Sequence, residues 1–76
     1  MDIKTWLYKT RKDPRRHHVI AAAETDLNYL HQIAGGHRKG SPELHRRLHE
    51  ASVEHTPDMV MTLEDLRPDI WGRQSA

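Results

Sequence analysis

DLNYLHQIAGGHRKGSPELHRRL, residues 26–48, contains the start and stop signals that decide the fold. Asp26 is a predicted N-cap, because its carboxylate can accept hydrogen bonds from the unpaired N–H groups of a first helical turn. Apolar residues then recur at helical spacing on one face: Leu27, Leu30, Ile33 and Ala34. Gly35-Gly36 ends this helix, since glycine tolerates positive φ. Ser41-Pro42 begins the next one, with proline at the first helical position.

Similar signals predict three further helices, two before this stretch and one after it. The first runs from about Ile3 to Arg11 and follows the N-cap Asp2. The second runs from Pro14 to about Ala23 and follows Asp13. Its inward face carries Val19, Ile20 and Ala23. The helix that starts at Pro42 extends to about Ser52, with Leu44, Leu48 and Ala51 facing inward. Thr62 caps a short last helix over Leu63–Leu66. We interpret Val53–Pro57 as a loop, and residues 59–62 as either a short extended piece or the approach to the last helix.

The fold class that follows is all-α, a compact bundle of about five short helices in one domain over residues 1–76, with a frayed tail at 73–76. At 76 residues there is room for one small hydrophobic core. The sequence has no cysteine, so disulfides and thiolate metal sites are excluded. It shows neither the apolar run of a signal peptide nor a membrane span, so we expect a cytoplasmic protein that does not enter the membrane.

Charge is unevenly distributed along the chain. Residues 1–40 hold eight Lys or Arg against four Asp or Glu, whereas residues 41–76 hold four against seven, for a formal net charge of +1. Residues 9–18 form the densest basic run, which on its own favours a solvated helix end. However, Arg15 and Arg16 lie in the first turn of the second helix, where cations oppose the helix dipole unless an anion binds nearby. A DNA phosphate would be such an anion.

The face of the third helix opposite its apolar stripe carries Asn28, His31 and Gln32. These side chains offer hydrogen bonds rather than salt bridges. Asn and Gln can each form a bidentate pair with adenine in the major groove, which discriminates by ~1–3 kcal/mol. The sequence therefore predicts a helix that lies against DNA.

The helices over residues 14–36, with their short Ala-Glu-Thr turn, resemble the helix-turn-helix of phage Cro and CI repressors. The sequence is most similar to the Cro-like regulators grouped with YdaS-type antitoxins, over about residues 13–71. The matching segments are Tyr29-Leu30-His31-Gln32-Ile33-Ala34, Gly36, Ser41-Pro42-Glu43-Leu44, Glu50-Ala51 and Leu66-Arg67-Pro68-Asp69-Ile70-Trp71. The chain departs from the family in the turn region, with Ile20 where Ala is usual and Glu24 where Gly is usual.

This resemblance implies a lambda-repressor-like DNA-binding domain that acts as a repressor, encoded by a phage or prophage and located in the bacterial cytoplasm or nucleoid. The second helix of the motif would enter the major groove and read bases with Leu27, Asn28, His31 and Gln32. Phosphate contacts would position the protein without reading sequence, through Arg15, Arg16, Tyr29, His37, Arg38 and Lys39. For Tyr29, a half-buried aromatic that packs on the next helix is an equal alternative.

Such regulators bind as homodimers to palindromic operators whose half-sites lie about one DNA turn apart. Apolar residues of the C-terminal part are the candidates for the dimer interface: Met59, Val60, Met61, Leu66, Ile70 and Trp71. A fold-back of the same residues that completes the monomer core is the alternative.

The sequence gives weaker support to three other classes of function: a metal-binding protein, an enzyme and a protein-binding inhibitor. His45 and His49 lie at i and i+4, as in metal sites, but two ligands do not make a site and Arg46-Arg47 repel a cation. We therefore expect surface histidines, no metal and no cofactor. No phosphate-cradling loop or nucleophile motif points to an enzyme. The remaining alternative is an antitoxin or phage-encoded inhibitor that binds a protein partner through the acidic C-terminal half.

Overall fold

Five helices make up the secondary structure of residues 1–66, which are the residues that the computed structural model describes. Their bounds are α1 Ile3–Lys9, α2 Arg15–Ala22, α3 Leu27–Ala34, α4 Pro42–His55 and α5 Leu63–Leu66. This part of the chain contains no strand. The predicted all-α class is confirmed.

Side-chain caps start four of the helices at the predicted positions. Asp2, Asp26, Ser41 and Thr62 each accept a hydrogen bond from the backbone N–H three residues further on, at 2.7 to 3.2 Å. Asp13 accepts from the N–H of Arg15 at 2.9 Å. These bonds satisfy N–H groups that have no partner within the helix, so each start is fixed by its local sequence.

The helices enclose one core, in which α2 packs on α4, α1 on α3 and α5 on α4. Its buried residues come from all five helices, from the residue that follows α2 and from one residue before α5: Ile3, Trp6, Leu7, Val19, Ala23, Leu30, Leu44, Leu48, Ala51, Met61 and Leu66. From α3 only Leu30 is fully buried. This helix therefore lies at the surface, held from behind by its apolar stripe.

The end of α4 differs from the prediction. The helix continues through Val53 to His55, so the loop expected over Val53–Pro57 is wrong for its first three residues. Thr56 leaves the helical conformation, with φ −132° and ψ 64°. It precedes Pro57, whose ring disfavours a helical conformation at the residue before it. Residues 59–62 belong to no helix or strand, and they form the approach to α5.

The connection from α2 to α3 is tight because α2 ends in a left-handed residue. Glu24 has φ +57°. The N–H of Thr25 donates to the carbonyl of Ile20 at 3.2 Å, and that of Glu24 to Ala21 at 3.0 Å. This is the Schellman pattern, which pairs the last carbonyls of a helix and turns the chain sharply. The end of α3 repeats it with Gly36 at φ +85°.

Glu24→Gly is expected to stabilise the fold, because the left-handed conformation strains every residue that has a Cβ. Part of the gain is offset by the greater freedom of glycine in the unfolded chain. The net increase in the free energy of unfolding should be about 0.5–1 kcal/mol. Urea denaturation followed by circular dichroism measures it.

The matched control for this variant is Ala22→Gly at the exposed end of α2, where the backbone is helical. That change should cost about 0.5–1 kcal/mol. If the two variants changed the free energy of unfolding equally, the backbone at Glu24 would not be strained.

Candidate nucleic-acid interface

The outward face of α3 carries the polar residues expected from the sequence. Asn28 and His31 are exposed, and Gln32 is half-buried one turn after Asn28. Leu27 is also half-buried, but it packs against the core as part of the apolar stripe. The structure therefore places Asn28, His31 and Gln32 on the outward side of α3, whereas Leu27 lies on its inward side.

The loop after α3 extends this surface with positive charge. His37, Arg38 and Lys39 are all exposed and follow directly on the Gly36 turn. The Nε of Arg38 donates to Oε1 of Gln32 at 2.7 Å, which joins the loop to the end of the polar face. We refer to residues 37–39 as the basic loop.

Arg16 does not belong to this surface, which corrects the prediction that it contacts phosphate. Only 9% of the residue is exposed. Its Nε donates to Oγ1 of Thr10 at 3.2 Å, and its Nη2 donates to the carbonyl of Leu7. These bonds join α1 to α2 through the guanidinium, and they leave little of Arg16 open to solvent.

Arg15 is held in ion pairs, an arrangement that does not favour its predicted phosphate contact. Its Nη2 lies 2.7 Å from Oδ2 of Asp13 and its Nη1 lies 2.8 Å from Oδ1 of Asp58. Hydrogen bonds from Arg15 lower the pKa of both carboxyls, and the two carboxylates raise the pKa of Arg15. Its positive charge is balanced within the protein, so it adds little to a phosphate-binding surface.

Two further cations, for which the sequence predicts no phosphate contact, lie on the side of α3 that faces α1. A groove of about 440 Å³ between the two helices is lined by the polar or charged residues Lys4, Tyr8, Arg11, Arg16 and His31 over an apolar floor. The guanidinium carbon of Arg11 lies 4.8 Å from the ring centroid of Tyr8, in cation–π contact.

Arg11 also lines a crevice at the start of α2 together with Lys12, Asp13, Arg16 and His17. We call Lys4 of α1, together with Arg11 and Lys12 of the turn that follows it, the α1 cations.

Tyr29 faces the interior more than the basic surface. It is half-buried and packs against the hydrophobic core. This placement fits the structural interpretation of Tyr29 better than the phosphate contact.

The predicted dimer residues divide between the core and the surface. Met61 is fully buried and Leu66 is 8% exposed, so for these two the fold-back alternative is correct and the interface prediction is wrong. Met59 and Val60 are half-buried at the surface. The amino group of Met1 donates to the carbonyl of Val60 at 2.7 Å, which ties this segment to the start of α1. Ile70 and Trp71 lie outside the described residues.

His45 and His49 of α4 do not form a surface pair. His45 is fully buried, so its predicted surface position is wrong. It packs under the loop at Gly40, where a Cβ would lie 3.0 Å from its Nε2. The Nδ1 of His49 lies 2.9 Å from the carbonyl oxygen of Met61. Within residues 1–66, no three His, Asp or Glu side chains converge as metal ligands.

Comparison of the chain with protein-family models, with curated proteins and with solved structures finds no match. Among residues 1–66, no helix combines the length and apolar character needed to cross a membrane.

Proposed function

We propose that this protein is a sequence-specific double-stranded DNA-binding regulator of transcription that places α3 in the major groove. The observation that supports this most is the exposed polar face of α3, Asn28 and His31, which has exposed cations near it. The basic loop follows the end of α3, and Lys4 and Arg11 line a groove together with His31. A helix that enters the major groove needs side chains that read bases and, beside them, side chains that hold phosphates.

The geometry of the α2–α3 unit supports the same proposal. A helix fits in the major groove, which is about 12 Å wide, provided that the helix stands at the protein surface. In a helix-turn-helix, the second helix reads the bases and the first crosses the backbone. Here the tight turn at Glu24 joins two short helices, and Arg47 holds that turn by donating from Nε to the carbonyl of Ala23 at 2.9 Å. The resemblance of the sequence to Cro-like regulators adds to this support.

We further propose that the protein acts as a homodimer on a palindromic operator, because one such module touches only half a site. Met59 and Val60 remain the candidates for its interface among the described residues. Gel filtration over a range of concentrations, with and without DNA, tests the dimer. A species that stays monomeric throughout would contradict it.

Selection of bound sequences from a random DNA pool tests the function, and Asn28→Ala tests the reading residue. Loss of the Asn28 amide should reduce discrimination at one base pair of each half-site by ~1–3 kcal/mol. Fluorescence anisotropy with the selected operator and with single-base variants of it measures this discrimination.

Lys39→Ala is the matched control for Asn28→Ala, because Lys39 is an exposed cation of the basic loop. It should weaken binding to every sequence alike and reduce the salt slope by about 1. Failure to enrich any sequence, or binding that does not change with salt, would contradict the proposal.

A protein-binding antitoxin or inhibitor is the second candidate. The observation that favours it is an apolar residue within an acidic part of α4: Val53 is 47% exposed and lies beside Glu50 and Glu54. A basic partner with an apolar contact residue would fit this face. Random DNA selection that enriches nothing, together with loss of partner binding in Val53→Asp, would favour this function over DNA binding.

A further inference from the structure

The contact between Arg38 and Gln32 fixes two side chains at the edge of the proposed reading surface. The Nε of Arg38 donates to Oε1 of Gln32 at 2.7 Å. The backbone supports this contact, because the N–H groups of His37 and Arg38 both donate to the carbonyl of Gln32, at 2.9 and 3.3 Å. Gly36, at φ +85°, turns the chain so that these bonds can form. Arg38 is thus joined to Gln32 through both backbone and side chain.

This contact changes what Gln32 offers to a base. A glutamine that reads adenine accepts a hydrogen bond from N6 through its Oε1 and donates one to N7 through its Nε2. In this structure Oε1 accepts from Arg38. The groups that remain to face a base are the amide N–H groups of Gln32, the terminal N–H groups of the guanidinium and the second lone pair of Oε1, so donors predominate.

A pair of side chains in which donors predominate matches guanine better than adenine. Guanine presents two acceptors, O6 and N7, in the major groove, whereas adenine presents one acceptor and one donor. The arginine fork bonds to O6 and N7 of guanine in a bidentate manner, which is the commonest specific contact of this kind. Arg38 is exposed, so its terminal nitrogens are open to such a contact.

We propose that Arg38 and Gln32 form one reading unit that selects guanine, in which Arg38 contacts the base and Gln32 positions Arg38. This proposal rests on the proposed DNA binding by α3. It replaces the two separate roles expected from the sequence, phosphate contact for Arg38 and adenine contact for Gln32.

The test is selection from a random DNA pool with the full-length protein and with Arg38→Ala. The wild type should select guanine at one position of each half-site, over adenine by about 10- to 100-fold in affinity. In Arg38→Ala the Oε1 of Gln32 is released, so the preference at that position should change to adenine. Gln32→Ala should weaken the preference for guanine without creating one for adenine, because Arg38 is then no longer positioned.

Lys39→Ala is the control, since it removes a neighbouring exposed cation and should leave all base preferences as they are. Circular dichroism confirms that each variant is folded. If the wild type selects a specific operator but Arg38→Ala keeps every base preference, the reading unit is overturned while the proposed function stands. If neither the wild type nor the Lys39→Ala control enriches any sequence, both proposals fail.

Discussion

Arg16→Ala is expected to lower the free energy of unfolding by about 2–4 kcal/mol, because it removes charged hydrogen bonds from a buried site. The variant loses the bond to Thr10 and the bond to the carbonyl of Leu7. Both acceptors then remain in the junction between α1 and α2, away from water. For a domain of 76 residues such a loss is a large part of the total stability. Urea denaturation followed by circular dichroism measures it.

Arg11→Ala is the matched control, because Arg11 comes from the same basic run but is exposed. Its effect on stability should stay within about 0.5 kcal/mol. Arg11→Ala should weaken DNA binding more than Arg16→Ala does, since the α1 cations are the proposed phosphate contacts. If the Arg16→Ala protein is folded, keeps its stability and binds DNA weakly, Arg16 contacts phosphate after all.

The contrast between these arginines shows what charge alone cannot predict. The basic run indicates a polyanion, but it does not say which cations face outward. Helical spacing contained that information, because Arg16 lies three and seven residues before the buried Val19 and Ala23 and so belongs to the inward face. The same reasoning applies to His45, which lies three residues before Leu48 and follows Leu44, both buried.

Helix starts were predictable because capping is local. The side chains of Asp2, Asp26, Ser41 and Thr62 bond N–H groups three residues away, so each signal lies within one turn of its effect. The end of α4 had its signal too, in Pro57, two residues beyond the helix.

Contacts between remote segments were not predictable in this way. The ion pair of Arg15 with Asp58 joins residues that are far apart in the sequence. It follows from packing, which fixes the position of side chains only once the whole core has formed. The bond of Arg38 to Gln32 spans only six residues, but it depends on how the chain returns after Gly36. The polar face of α3 could therefore be predicted, whereas the cations that flank it could be predicted only in part.

Trp6→Ala is expected to have the largest effect on stability, a loss of about 3–5 kcal/mol. Trp6 is fully buried. Its Nε1 donates to Oγ1 of Thr56 at 3.3 Å, and its carbonyl accepts from Oγ1 of Thr10 at 2.7 Å. Because Thr10 also accepts from Arg16, Trp6 connects the α1–α2 junction, through its backbone carbonyl, with the end of α4, through its indole N–H. Its removal leaves a cavity where these segments meet.

A double-mutant cycle separates the hydrogen bond of Trp6 from its packing. Trp6→Phe keeps most of the apolar volume but removes the N–H donor, and Thr56→Val removes the acceptor. The coupling between the two changes should be about 0.5–1.5 kcal/mol. Tyr8→Ala is the control for loss of an aromatic ring from the same helix, and since Tyr8 is 68% exposed its cost should be small. A coupling near zero would mean that packing alone holds the indole. If Trp6→Ala and Tyr8→Ala lowered the free energy of unfolding by similar amounts, the placement of Trp6 in the core would be contradicted.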